Sequence, residues 1–132
     1  MKLGKTRSIS QLKKTADKLC SEYIRRKHAD WQGNVQCFTC DKTFHWKQIQ
    51  NGHYISRVYT NTRWYPPNLR PQCYSCNVMR HGNMDEFAIR LEKQTPGILK
   101  TLNEWKHRPA SANTRQDLVV IIEDFKNKLK TL

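Results

Sequence analysis

Five side chains in one stretch of this chain, His53, Arg57, Asn68, Asn77 and His81, are of types that together can cut a phosphodiester. Hydrolysis of that bond needs a base for water, a cation to stabilise the phosphate and leaving oxygen, and donors that hold the phosphate in line. His53 suits the base, because an imidazole titrates near neutral pH. Asn77 and His81 are four residues apart, so on a helix they share a face, and they suit a divalent cation completed by water and phosphate oxygens. Arg57 can neutralise the phosphate. Arg63, Arg70 and Arg80 can follow the nucleic-acid backbone. Asn68 suits a supporting part, its amide fixing the strand and loop around the histidine.

The acids narrow the class. Residues 31–83 contain a single one, Asp41, and Asp85, Glu86 and Glu92 lie further on. A site that clamps two metals with several carboxylates cannot be built in that stretch, which leaves a one-metal His/Asn site.

Two identical brackets must position these residues: Cys37-Phe-Thr-Cys40 and Cys73-Tyr-Ser-Cys76. Each sets two thiolates on one tight knuckle, and together they supply the four soft ligands of a tetrahedral structural zinc. The zinc would fix both ends of the segment that carries His53 and Asn68, and Asn77 follows its last ligand directly. In a chain of 132 residues with 37% hydrophobic content, such a staple contributes much of the folding free energy, roughly 10 kcal/mol in small finger peptides. The fifth cysteine, Cys20, sits in a helical pattern and reads as a small buried residue.

Charge points to the partner. The formal net charge is +13, and residues 1–83 hold fifteen Lys/Arg against four acids, while residues 84–132 hold nine against seven. The basic part is interleaved with aromatics, the footprint of a nucleic-acid surface, and Arg25, Arg26 and Lys27 close a helix that reads as a DNA-contacting arm. No apolar run is long enough to span a membrane, and the first residues lack the apolar stretch of a secretory signal, so a reducing cytoplasmic location is expected.

The expected elements are a helix over Ser10–His28, a knuckle at 35–42, a strand over His53–Tyr59 after the Asn51-Gly52 turn, and an extended segment over Asn68–Gln72. A helix should then run from Ser75 to a stop at Gly82-Asn83, followed by helices over Asp85–Gln94, Ile98–Lys106 and Thr114–Leu129. Segment 44–50 reads as a short helix or turn, and 60–65 as a loop or short strand. The last helix carries Leu118, Ile121, Ile122, Phe125 and Leu129 on one face, which either covers the core or pairs with a second copy. The parts are thus a basic helical arm (1–30), a zinc-stapled core (31–94) and a helical extension (95–132) with a homodimer as its expected use.

Cys37-x-x-Cys40, Gly52-His53-Tyr-Ile-Ser-Arg57, Asn68, Gln72-Cys-x-x-Cys-Asn77 and Gly82-Asn83 resemble the lambdoid phage NinG (Rap) recombination endonucleases, and more broadly zinc-stapled HNH nucleases. The resemblance implies an α+β fold with a small ββα-metal core, and an enzyme acting on Holliday junctions and related branched DNA in the bacterial host cytoplasm. It implies His53 as general base, Asn68 as the structural middle asparagine, Asn77 as a ligand of catalytic Mg2+ or Mn2+, and His81 as a second ligand. Where many HNH sites carry an aspartate before the base, this chain has Gly52. Two other readings stay open on the residues alone: a zinc-knuckle nucleic-acid-binding protein without chemistry, and an HNH endonuclease without junction selectivity.

Overall fold

The computed structural model describes residues 7–110 and 113–132. The first six residues of the expected arm and residues 111–112 of the segment before the last helix lie outside that range. Among the described residues the fold is mixed α+β: two small antiparallel sheets are set among five α-helices.

Helix α1 (Ile9–Lys27) starts at a capping box, in which Ser8 accepts from the Gln11 N–H and the Gln11 side chain accepts from the Ser8 N–H. Its buried residues Leu12, Ala16, Cys20 and Ile24 recur every four positions. Helix α5 (Arg115–Lys130), capped in the same manner by Thr114 and Asp117, turns Leu118, Ile122 and Phe125 onto that stripe. Each side chain of this kind that is fully buried contributes about 1.5–3 kcal/mol. The first and last helices therefore pack against each other as one layer. The apolar stripe that motivated a dimer is covered within the chain.

Strands β1 (Asn34–Gln36) and β2 (Thr43–His45) pair with Val35 opposite Phe44, and the first cysteine pair lies in the turn between them. Residues 46–48 form a 3-10 turn. Strands β3 (Gln50–His53) and β4 (Leu69–Gln72) pair with Gly52 opposite Arg70 and His53 opposite Leu69. The strand expected to run from His53 to Tyr59 instead ends at His53, where the chain turns around Asn68. The fully buried Asn68 amide accepts from the Ile55 N–H at 2.8 Å and donates to the carbonyls of Ile55 and Thr62, both at 3.1 Å. An amide buried this deeply must be fully paired, so it holds the loop in one shape, including the single turn of α2 (Thr60–Arg63). Pro71 is tolerated because the β3–β4 sheet has only two strands, and its carbonyl accepts the Phe38 N–H at 2.8 Å, tying the hairpin to the first knuckle.

After β4 the expected helix from Ser75 to Gly82 is replaced by one π-helical turn over Ser75–Met79. The Arg80 N–H reaches back to the Ser75 carbonyl at 2.9 Å. His81, Gly82 and Asn83 then have φ of 52°, 92° and 47°. Three successive left-handed residues cannot continue a right-handed helix. His81 therefore does not share a helical face with Asn77; it lies in the turn beyond. Helices α3 (Met84–Gln94) and α4 (Ile98–Lys106) follow as expected and close a second core with Ile55, Phe87, Leu91, Ile98 and Leu102.

Candidate functional site

The hairpin and the π turn bring the two cysteine pairs together. The sulfurs of Cys37, Cys40, Cys73 and Cys76 all lie within 4.8 Å of one another, and those of Cys40 and Cys73 are 3.8 Å apart. Four ligands at the usual zinc–sulfur bond length of about 2.3 Å stand about 3.8 Å apart on a tetrahedron, so the cluster fits a metal such as zinc. None of the five cysteines forms a disulfide. The Cys73 N–H points at Cys37 Sγ at 3.3 Å and the Cys76 N–H at Cys73 Sγ at 3.5 Å, and such donors stabilise thiolate charge. Burial works against ionisation of Cys37, but the Cys73 N–H and the Thr39 hydroxyl and N–H outweigh it and draw the thiol down to about 6. Burial first, and then its neighbour Cys37, push Cys40 up to about 12. Thiols so crowded ionise together only around a cation. His45 stands outside the cluster and caps the 3-10 turn through the Lys47 N–H. Cys20 is buried in the α1–α5 core, which raises its thiol to about 12.

Beside the cluster is an open cleft of about 1060 Å3, lined by residues of α1, β3, the loop after it and the turn after β4. His53, Arg57, Asn77 and His81 all line it. His53 Nε2 lies 3.0 Å from the Arg63 carbonyl oxygen. A carbonyl only accepts, so Nε2 carries the proton and Nδ1 keeps the lone pair. Burial chiefly, and then the charges of Arg57 and Arg63, lower this imidazole to about 4, against the Arg63 carbonyl and Asp17, which raise it. The ring is thus neutral at pH 7 and able to accept a proton.

Asn77 is bonded to Gln50, its Nδ2 donating to Gln50 Oε1 at 2.8 Å. A Cβ at Gly52 would lie 2.1 Å from Gln72 Oε1 and 2.8 Å from Gln72 Cγ, so the position takes no larger side chain without displacing Gln72. The buried Gln72 crosses beneath Gly52 and donates to Thr39 Oγ1 at 3.1 Å and to the Gly82 carbonyl at 2.8 Å, joining both sides of the zinc-type cluster.

Sequence reasoning missed Asp17. Its carboxylate receives Arg63 Nε at 3.1 Å, Arg63 Nη2 at 2.7 Å, Trp64 Nε1 at 2.9 Å and Arg57 Nη1 at 3.4 Å. It thereby anchors the residue whose carbonyl orients His53. One signal was available: Asp17, Ser21 and Arg25 recur every four residues beside the apolar stripe of α1, and all three line the cleft. The arginines divide. Arg57 remains exposed on the rim, whereas Arg63 is half of the Asp17 pair. Arg70 is buried and bonded to Gln94 and to the carbonyls of Pro66, Pro67 and Leu69, so its guanidinium shapes the fold and is not available to follow a nucleic-acid backbone. Arg80 borders a smaller hollow next to the cysteines. Arg25 and Arg26 lie over Trp46, and Lys27 over Tyr23.

A family model described as the bacteriophage lambda NinG protein matches residues 1–132, the whole chain. The chain belongs to the NinG family. No curated protein and no solved structure matches it. NinG is a phage, recombination-related family, and this member combines the four-cysteine cluster with the cleft beside it. Among the described residues of this NinG chain, no helix is long and apolar enough to cross a membrane. Besides His53 and Arg57, the cleft is lined by Asn77 and His81, and among the described residues its one carboxylate is Asp17, already paired with Arg63.

Proposed function

We propose that this chain is a metal-dependent HNH (ββα-metal) endonuclease that hydrolyses phosphodiester bonds in branched DNA, Holliday junctions and related recombination intermediates included. One observation carries the reading: His53, bonded through Nε2 to the Arg63 carbonyl, lines the same cleft as Asn77 and His81. His53 Nδ1 accepts the proton of the attacking water. Asn77 and His81 would hold Mg2+ or Mn2+, which would supply charge stabilisation at the phosphate. Arg57, exposed and only loosely engaged with Asp17, exchanges that carboxylate for the substrate phosphate. Asn68 keeps the loop around the base in shape. Zinc on the four cysteines is structural. Arg25, Arg26, Lys27 and Arg80 give the DNA its cationic surroundings. Two nicks in a four-way junction call for two copies of the site, and a homodimer would have to use a surface other than the stripe α5 turns to α1.

The test incubates labelled junction and linear duplex with the protein and Mg2+ or Mn2+, beside His53→Ala. Junction cutting that falls on the order of 10²–10⁴-fold in the variant supports the reading. Binding without cutting under either cation would make the chain a zinc-knuckle binding protein. Equal cutting of both substrates would remove the branch selectivity.

A further inference from the structure

Trp31 is the most exposed large apolar residue among those described, at 91%. It sits on a rigid turn. The Gly33 N–H closes the turn on the Asp30 carbonyl at 2.9 Å, and Asp30 Oδ1 accepts from the N–H groups of Gln32 and Asn34, both at 2.9 Å. Gly33 has φ +85°, and a Cβ there would lie 2.7 Å from His45 Nε2, so the turn is pressed against the neighbouring strand. The Gly33 carbonyl accepts the Trp46 N–H at 2.9 Å, which bolts the turn to Trp46. Around Trp46 stand three cations, Arg25, Arg26 and Lys47, at 5.4, 5.7 and 5.7 Å from the ring centroid. Of these, Arg26 is paired with an acid, Glu22, at 3.0 Å. Asp30 has its carboxylate on backbone donors. Arg25 donates to the Trp46 carbonyl at 2.9 Å and also lines the cleft, so this surface and the cleft are continuous.

An indole held in water on a fixed turn, next to crowded cations, combines a stacking platform with phosphate sites. A duplex keeps its bases stacked on one another, so such a platform favours a strand whose bases are free. We propose that the Trp31 turn and the Trp46 cluster form a binding surface for unpaired single-stranded DNA. A base stacks on Trp31, the phosphates lie on Arg25, Arg26 and Lys47, and the strand continues into the cleft. The surface rests on the nuclease reading only for what the strand is delivered to.

The test uses the full-length protein carrying His53→Ala, without added divalent cation. It measures binding of a labelled oligothymidine and of a linear duplex by fluorescence anisotropy over a range of salt. Trp31→Ala should weaken oligothymidine binding about tenfold, and Trp31→Phe should recover most of that loss, with duplex binding nearly unchanged. Lys47→Gln should reduce the salt slope for the single strand by about 0.7. The exposed Trp31 has no core contact to lose, so zinc content and melting temperature should match the parent. Oligothymidine binding unaffected by Trp31→Ala, or lost equally on duplex, overturns the proposal. A protein that binds single strands through Trp31 yet never cuts would leave this surface standing and remove the nuclease reading; one that cuts while ignoring Trp31 does the reverse.

Discussion

The cysteine cluster and the cleft beside it are built on opposite plans. In the cluster, four sulfurs converge, three of the four cysteines are buried, and backbone donors point at the sulfur atoms. Everything faces inward. In the cleft, two of the lining groups are held by hydrogen bonds, His53 to the Arg63 carbonyl and Asn77 to Gln50, and both border open space. A ligand set that closes on itself serves stability, because the metal then becomes part of the folded state. A set that is held from the rear and open in front serves a transient ligand, because orientation is settled before the ligand arrives. The two are coupled through Gln72, which bonds both Thr39 and the Gly82 carbonyl under the strand that carries His53.

The contrast can be broken most severely at the cluster. Cys73→Ser should abolish stoichiometric zinc and cost on the order of 10 kcal/mol of the metal's contribution, with loss of the cooperative transition in denaturant. Zinc assay and circular dichroism on one preparation read both effects; a variant that melts like the parent would remove the stapling role. In the cleft, Asp17→Asn should cost less, about 1–2 kcal/mol in denaturant, because the Arg63 pair is partly solvated and the amide keeps some of its bonds. Its specific signature is electrostatic. Asp17 raises the His53 pKa, so His53 should titrate still lower in the variant by NMR, and an unchanged titration would detach Asp17 from the base.

The remaining effect is pH. His53 and His28 are both lowered from 6.5 to about 4, burial being the largest cause in each, with Arg70 and Lys27 adding to it at His28. The unfolded chain binds these protons more readily than the folded one. Stability from both rings is therefore full above about pH 6.5 and declines as pH falls towards 4. Urea midpoints across that window, with zinc content followed in parallel, separate this loss from metal release. A midpoint flat between pH 6.5 and 5 would refute it.

Much of the fold was legible because its causes are local. The stripe Leu12, Ala16, Cys20, Ile24 and the stripe Leu118, Ile122, Phe125 announce α1 and α5 through helical spacing alone. The C-x-x-C brackets announce their chemistry through residue type. What failed depended on distant partners. The strand after Asn51 stops at His53 because an asparagine fifteen residues on organises the loop. The helix expected from Ser75 to a stop at Gly82-Asn83 is cut to a π turn over Ser75–Met79, with left-handed backbone already at His81, one residue before that stop.

The sequence by itself determined which atoms are available: four soft sulfurs, an imidazole and a carboxamide at the right separation for a hairpin and its following turn, and a strongly cationic first part, residues 1–83. The tertiary structure alone decided their employment. It buried Arg70 among carbonyls, left Arg57 on the rim, covered α5 with α1, and brought Asp17 to Arg63 across 46 residues of chain. Donor strength and charge belong to a residue type. Burial and hydrogen-bond partnership belong to a position in space, and no local pattern encodes a partner that arrives only on folding.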